Sequence, residues 1–458
     1  AICGTLTVPA TYLMVRSWFK ERTALLSAFI ISTMVWHLHL SRIGFRAVML
    51  PLALACFLWL TARALRSNHK RAWLLAGTAY GLAFYTYVAV RFTPVALLGF
   101  TVYLLLTDQR DRLWPGALYF GIGALITLMP LGAYTALQWD TVMGRPAQVS
   151  VLSPAVNQGD VWRTLGRHLL RTLGMFFVRG DSIPRHNIPG RPVFTPLLGA
   201  AMVLGTVQAA IEARRRDVGS ALTLIWVATM LVPTIAAADA PHFLRAVGAL
   251  PLLVVLPALG LEAIWDAFSR QHRRVWGSVL VCLILAASLG TTVRDYFLDY
   301  ACRSETGYAF ESAATELAAR INRFTGSGWD GQGLVASSRA LDEERRVYVD
   351  WRLWQSWEAL SFLVPEQPGL TKFRPSDIPS IPPTGQVLLL IWPYGDLEPY
   401  LESLPHPVRV EPDVGPLTRG DLEERSYPAY ASYVVQPLID QPPTPLARFG
   451  ESIQLTDF

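Results

Sequence analysis

The sequence predicts a mainly α protein: a polytopic transmembrane helix bundle over residues 1–293, followed by an extracytoplasmic α/β domain over residues 294–458. Three observations lead there. Hydrophobic residues make up 52% of the 458 and charged residues only 16%, where a soluble domain carries about 25% charge. The apolar residues also come in ten blocks, near 2–15, 23–40, 46–65, 72–89, 92–107, 114–137, 194–211, 219–237, 243–266 and 275–293. Most approach the roughly 20 residues that cross a hydrocarbon core of about 30 Å. Finally, the turns between blocks alternate in character.

One set of turns is densely basic: Arg16, Lys20 and Arg22; Arg66, Lys70 and Arg71; Arg110 and Arg112; Arg214, Arg215 and Arg216; Arg270, Arg273 and Arg274. They fall at every second turn, as cytoplasmic loops do under the positive-inside rule. The other set is therefore expected outside: the stretch around Arg42, the turn at Arg91, the long loop 138–193, the turn Ala238–Arg245 and everything after about 294. The expected location is the plasma membrane, crossed several times. Net charge is +5, but its basic residues sit in short loops, where they set topology or meet anionic lipid rather than nucleic acid. Pro9, Pro51, Pro94, Pro130, Pro233, Pro251 and Pro257 lie within apolar blocks. Lipid-embedded helices tolerate them when neighbours satisfy the freed backbone groups.

Within the long loop, Asp160 is expected to cap a helix. Trp162, Leu165, Leu169, Leu173 and Phe176 would fall on one face and Arg163, Arg167 and Arg171 on the other. Such a helix lies in the membrane interface or packs on the bundle. After Arg294 the composition changes. Residues 305–324 read as a helix, residues 333–338, 386–392 and 431–436 as strands, and Pro379–Pro383 as a connection. Trp351, Trp354 and Trp357 recur at helical spacing and read either as a buried or bilayer-resting stripe or as a sugar-stacking platform.

Cysteine supplies neither a disulfide framework nor a metal set: Cys3, Cys56 and Cys282 lie in apolar segments, leaving Cys302 alone. No P-loop, dinucleotide fingerprint, nucleophile elbow or zinc spacing occurs. What stands out is polar residues at the expected outer turns. Trp36–Arg46 carries His37, His39, Arg42 and Arg46; Tyr85–Arg91 carries two tyrosines, a threonine and Arg91; Asp239–Arg245 carries His242 and Arg245. The long loop adds Arg179, Asp181, Arg185, His186, Asn187 and Arg191. Ionisable residues at membrane depth are costly and mark a functional cavity by default. Arginine from several turns suits an oxyanion, because its planar fork matches phosphate bidentately; at a membrane surface that is most simply a lipid phosphate. The bland reading is that each arginine snorkels to the interface. His37 and His39, two residues apart on a helix, point to nearly opposite sides, so they read as interfacial polar residues and no metal ligands are assigned.

At these residues the chain resembles the bacterial branch of the dolichyl-phosphate-mannose–protein mannosyltransferase family, glycosyltransferase family 39 of the GT-C superfamily. The resemblance runs through Gly4–Pro9, His39–Gly44, Tyr85–Tyr87, Arg179–Asp181 with His186–Pro192, and Ala240–His242 with Leu244–Ala246. It covers about the first 300 residues, with a looser match at Arg294–Phe297. It implies a GT-C-like bundle that transfers a sugar from a polyprenyl-phosphate carrier to a glycan, lipid or protein acceptor, with inversion. Membrane lipid is then a partner and nucleic acid is not. By position, Arg42, Arg46, Arg91 and Arg245 would clamp the lipid phosphate, with His242 and Asp181 beside them, while His186, Asn187 and Arg191 would close the site over sugar or acceptor. The family's catalytic acid lies in a first outer loop, and this chain begins at Ala1 inside an apolar run. The general base is therefore expected upstream, leaving the chain an N-terminally truncated fragment without it. Cofactor need is undetermined, with a divalent metal left open. The competing reading is a non-enzymatic carrier or scaffold for a polyprenyl-linked or anionic substrate.

Overall fold

Each of the ten apolar blocks carries a helix among the described residues. The computed structural model describes residues 1–107, 116–139, 151, 153–335, 345–378, 380–381, 385–395, 398–404, 408–414, 417–418, 427–437, 447–449 and 453–455. The chain forms two units, Ala1–Tyr300 and Ala301–Phe458.

In the first unit the long helices are α1 (Ile2–Trp18), α2 (Glu21–Thr33), α3 (Val35–Arg42), α4 (Met49–Ser67), α5 (Lys70–Ala83), α6 (Thr93–Leu106) and α7 (Gly116–Leu137). They continue with α8 (Val161–Gly174), α9 (Pro196–Arg214), α10 (Val218–Ile235), α11 (Val255–Arg270) and α12 (Arg274–Val293). Among the described residues, seven helical stretches are long and apolar enough to cross a membrane, or eight with the bent pair α2–α3. This is a multi-pass membrane bundle. Two of the ten blocks fall short as single spans. The helix of the first, α1, has 17 residues, and α5 has 14 because its block breaks into turns after Ala83. The 23–40 block bends by 55° at Met34.

The stretch Phe243–Arg270 is the most enclosed span, with 83% of its apolar window buried, whereas Gly116–Leu137 has 17%. Leu118, Leu125, Ile126 and Met129 of α7 are correspondingly exposed; apolar side chains on an outer helix face lipid, which is as apolar as they are. Where α9 meets α11, a Cβ on Gly205 would run into the Leu256 carbonyl, and one on Gly260 into the Ala201 carbonyl. Only glycine permits this backbone approach.

The basic turns gather at one end. There Arg66 donates to the Ser17 carbonyl, Lys20 Nζ lies 3.4 Å from buried Glu262, and Tyr103 donates to the Ala213 carbonyl at 2.9 Å. Arg110 and Arg112 lie outside the described residues. Among the described residues, the turn around Phe45, the loop 179–193 and the turn before Phe243 meet at the other end, from which α4 runs to Ser67.

Asp160 caps α8 as expected, its Oδ1 accepting from the Arg163 N–H at 2.9 Å. The face turned to the bundle is Thr164, His168 and Thr172, with His168 Nδ1 3.1 Å from the Ile235 carbonyl. Trp162, Leu169 and Leu173 are exposed, while Phe176, beyond the helix end, is buried. An apolar face directed away from the bundle is the orientation of an interfacial helix.

The second unit is built on a five-stranded sheet of β1 (Arg345–Asp350), β2 (Leu370–Phe373), β3 (Gln386–Ile391), β4 (Val408–Val414) and β5 (Ala431–Pro437), in spatial order β2-β1-β3-β5-β4. β1 runs parallel to β2 and β3, and β5 antiparallel to β3 and β4. Alternation with period two divides the strands between two cores. Val347, Val349, Leu388 and Leu390 pack with Leu317 and Ile321 of the helix α13 (Ser312–Thr325), while Tyr348, Leu389 and Ile391 pack with Tyr400 and Leu404. The expected 305–324 helix is two, Ser304–Ala309 and α13, separated where Glu311 takes a φ of 54°. Of the expected strand 333–338 the structure describes Leu334–Val335, and most of the Pro379–Pro383 connection lies outside the described residues. Trp354 is in the core with Lys372 Nζ 4.0 Å over its ring, and Trp351 is exposed. The three tryptophans therefore form no common platform.

Candidate functional site

The site grows from the loop between α8 and α9. Gly190 adopts a φ of +75°, which turns the chain back so that its N–H donates to the Asp181 carbonyl at 2.9 Å. Asn187 Nδ2 ties both limbs, donating to the Asp181 carbonyl at 3.1 Å and the Arg191 carbonyl at 2.8 Å. Asn187 is thus consumed in shaping the loop.

Asp181, 1% exposed, is the hub. Its Oδ1 accepts from the Ile183 N–H at 2.9 Å; its Oδ2 accepts from the Phe243 N–H at 2.8 Å and from His186 Nδ1 at 3.0 Å. Burial alone would raise this carboxyl, but the His186 hydrogen bond and the two backbone donors hold it below the ordinary carboxylate range. The Phe243 contact joins the loop to the turn that follows α10, where the Ala240–Pro241 peptide is cis and the His242 N–H donates to Thr234 Oγ1 at 2.7 Å. The His186 and His242 rings consequently lie 4.5 Å apart, centroid to centroid, with Phe45 6.0 Å from His186. Burial, with lesser help from His186 and Arg245, lowers His242 to about 4, so it is neutral near pH 7. Ligand atoms of Asp181, His186 and His242 all lie within 4.8 Å of one another. The sequence reading assigned no metal ligands. The structure supplies a candidate set because the loop and the turn meet only in three dimensions.

The arginines separate into two groups. Arg46 and Arg245 both act on Tyr87, whose hydroxyl burial pushes up and the two cations pull back. Arg245 also lies 3.6 Å from Asp239 and acts on His242. Arg42 instead lies over the rings of Phe297 and Tyr296, at 5.3 and 5.8 Å. Arg191 Nε donates to Asp295 at 2.8 Å. Arg91 is exposed on the short turn Val88–Phe92 that leads into α6. Of the nine candidate residues, Asp181, His186 and His242 therefore form one buried group with Phe45 beside it, Arg245 acts on both His242 and Tyr87, Arg46 acts on Tyr87, and Arg42 and Arg191 engage the segment after α12.

His37 and His39 are structural. His37 Nε2 donates to the Gly4 carbonyl at 3.0 Å. His39 Nε2 donates to the Pro184 carbonyl at 3.1 Å, and its Nδ1 faces the Tyr296 hydroxyl at 3.3 Å. Sequence reasoning passed over Tyr87, Asp295 and Tyr296 as site neighbours. The only signal was their place in the Tyr85–Tyr87 and Arg294–Phe297 motifs.

The family model for dolichyl-phosphate-mannose-protein mannosyltransferase matches residues 1–134. That match covers 134 of the 458 residues. The matched residues carry α1 to α6 and most of α7, and so the Arg42, Arg46, Tyr87 and Arg91 turns. No curated protein matches the sequence. Among solved structures, the chain is similar to the Archaeoglobus fulgidus oligosaccharyltransferase in complex with Zn and sulfate, at 15% identity and a TM-score of 0.48, over 82% of this chain and 50% of that one. It is also similar to ArnT from Cupriavidus metallidurans bound to undecaprenyl phosphate, at 12% identity and a TM-score of 0.43, over 95% of this chain and 82% of that one. The chain thus spans about half the length of the archaeal enzyme.

Proposed function

We propose that this chain belongs to an integral membrane glycosyltransferase that moves a sugar from a polyprenyl-phosphate carrier to an acceptor at the extracytoplasmic end of the bundle, with inversion. The observation that carries the reading is that Arg245 acts both on His242 of the buried Asp181–His186–His242 group and on Tyr87, which Arg46, from a separate segment, also acts on. The match of residues 1–134 to the mannosyltransferase family model supports it.

In the reaction the bond between the anomeric carbon and the phosphate oxygen breaks as the acceptor hydroxyl attacks from the opposite face. Negative charge grows on the departing lipid phosphate. Arg46 and Arg245 hold that phosphate and stabilise the charge as it develops. The acceptor proton needs a base. Asp181 is not that base, because three hydrogen bonds already occupy its two oxygens. Arg191, paired with Asp295, and Arg42, over Phe297 and Tyr296, fix the segment after α12 instead of the phosphate.

The test uses the full-length protein in detergent or nanodiscs. Undecaprenyl phosphate binding is expected to weaken about tenfold or more in Arg46→Gln/Arg245→Gln, since a charge-assisted hydrogen bond contributes about 1.5–3 kcal/mol. Arg42→Gln should weaken it less. Unchanged affinity in the double variant would remove the clamp. A transfer assay with a panel of polyprenyl-phosphate sugars separates the enzyme from a carrier or scaffold, which would bind without turnover.

A further inference from the structure

The Asp181–His186–His242 group has a valence that its hydrogen bonds leave open. His186 Nδ1 faces the Asp181 carboxylate at 3.0 Å, so its proton sits there and the lone pair lies on Nε2, on the ring edge turned away from Asp181. His242 is 8% exposed, and its Nδ1 is buried with no hydrogen-bond partner among the described residues. A buried polar atom without a partner is uncommon and calls for an unrecorded water or ion. The two rings lie 4.5 Å apart, tilted by 34°, and the ligand atoms of the three residues lie within 4.8 Å of one another.

We propose that His186 and His242 are the protein ligands of one divalent transition-metal ion, with Asp181 holding His186 in its ligating tautomer. A histidine that donates one ring N–H to a carboxylate and offers its other nitrogen is the usual arrangement of a metal-bound imidazole. Two imidazoles select zinc or a similar borderline ion over magnesium or calcium, which take oxygen ligands. Asp181 reads better as the orienting carboxylate than as a direct ligand, because the Ile183 and Phe243 N–H groups already occupy it. Two protein ligands leave coordination positions open to oxygen donors such as a phosphate, close to Arg245. The site does not depend on the transfer reading, since a carrier or scaffold would hold the same ion.

The experiment measures metal directly. The full chain, purified in detergent and stripped with chelator, is titrated with zinc chloride by calorimetry, and its metal content is read by mass spectrometry after gel filtration. One equivalent is expected. His186→Ala and His242→Ala should each lower affinity at least about a hundredfold, Asp181→Asn about 10–100-fold, and His69→Ala, at the opposite end of the bundle, should not change it. Should the alanine variants fail to fold, the wild type still decides: zinc should slow carbethoxylation of His186 and His242 and leave His69 unaffected. Three results overturn the proposal: no equivalent on folded wild type, an equivalent that survives in a folded His186→Ala/His242→Ala double variant, or reactive histidines that zinc does not protect.

Discussion

At the residue scale, Asp181 joins two segments that are distant in sequence. It accepts from Ile183 and His186 in its own loop and from Phe243 at the start of the most buried span. Removing a buried acceptor strands its donors, and the penalty exceeds what the bonds add when present. Asp181→Ala should therefore cost about 3 kcal/mol or more, with three donors left unpaired. Chemical unfolding in mixed micelles checks this, and a loss below about 1 kcal/mol would mean that water replaces the carboxylate. The arginines show why residue type alone does not assign a role. Arg42 and Arg46 are four residues apart, yet one lies over the aromatic rings after α12 and the other acts on Tyr87. The turn Ile43–Phe45, with Gly44 at a φ of +73°, separates them into different surroundings.

At the element scale, α9 and α11 approach through Gly205 and Gly260, each facing a carbonyl of the other helix. In lipid, where apolar burial no longer drives helix association, such backbone contact supplies much of the packing energy. Gly205→Leu and Gly260→Leu should each destabilise the bundle by about 1–3 kcal/mol through overpacking. Gly132→Leu on α7, where a Cβ meets nothing, should be close to neutral. Unfolding midpoints of the three variants compare directly. The α8 helix illustrates how far periodicity carries. Its cap and extent follow from Asp160 and the leucine spacing, but the choice of buried face does not. Thr164, His168 and Thr172 turn inward because His168 finds the Ile235 carbonyl, and the leucines are left for the interface.

At the scale of the whole molecule, the basic turns collect at one end of the bundle and the candidate site at the other. Under the positive-inside rule we propose an orientation with Arg71 inside and Arg294 outside. Reporter fusions at Arg71 and Arg294 should read cytoplasmic and extracytoplasmic, and the opposite pair of readings would invert the proposed site. The charge pattern is enough for this because insertion is decided by loop charge near the spans, before tertiary packing exists.

The same division explains what could be read beforehand. Sequence alone determined which apolar blocks carry helices, which turns share an end, the Asp160 cap, and the Arg, His and Asp residues that populate the turns opposite the basic ones. All of these follow from hydrocarbon thickness, loop charge and local hydrogen bonding, which act within a few residues of the chain. Only the tertiary structure decided that the 55° bend divides the second block, that Arg42 and Arg46 part company, and that Asp181, His186 and His242 converge. Those outcomes depend on the Asp181–Phe243 contact and on which carbonyl or ring each side chain reaches across the bundle. Pairing between segments far apart in sequence has no periodicity to announce it.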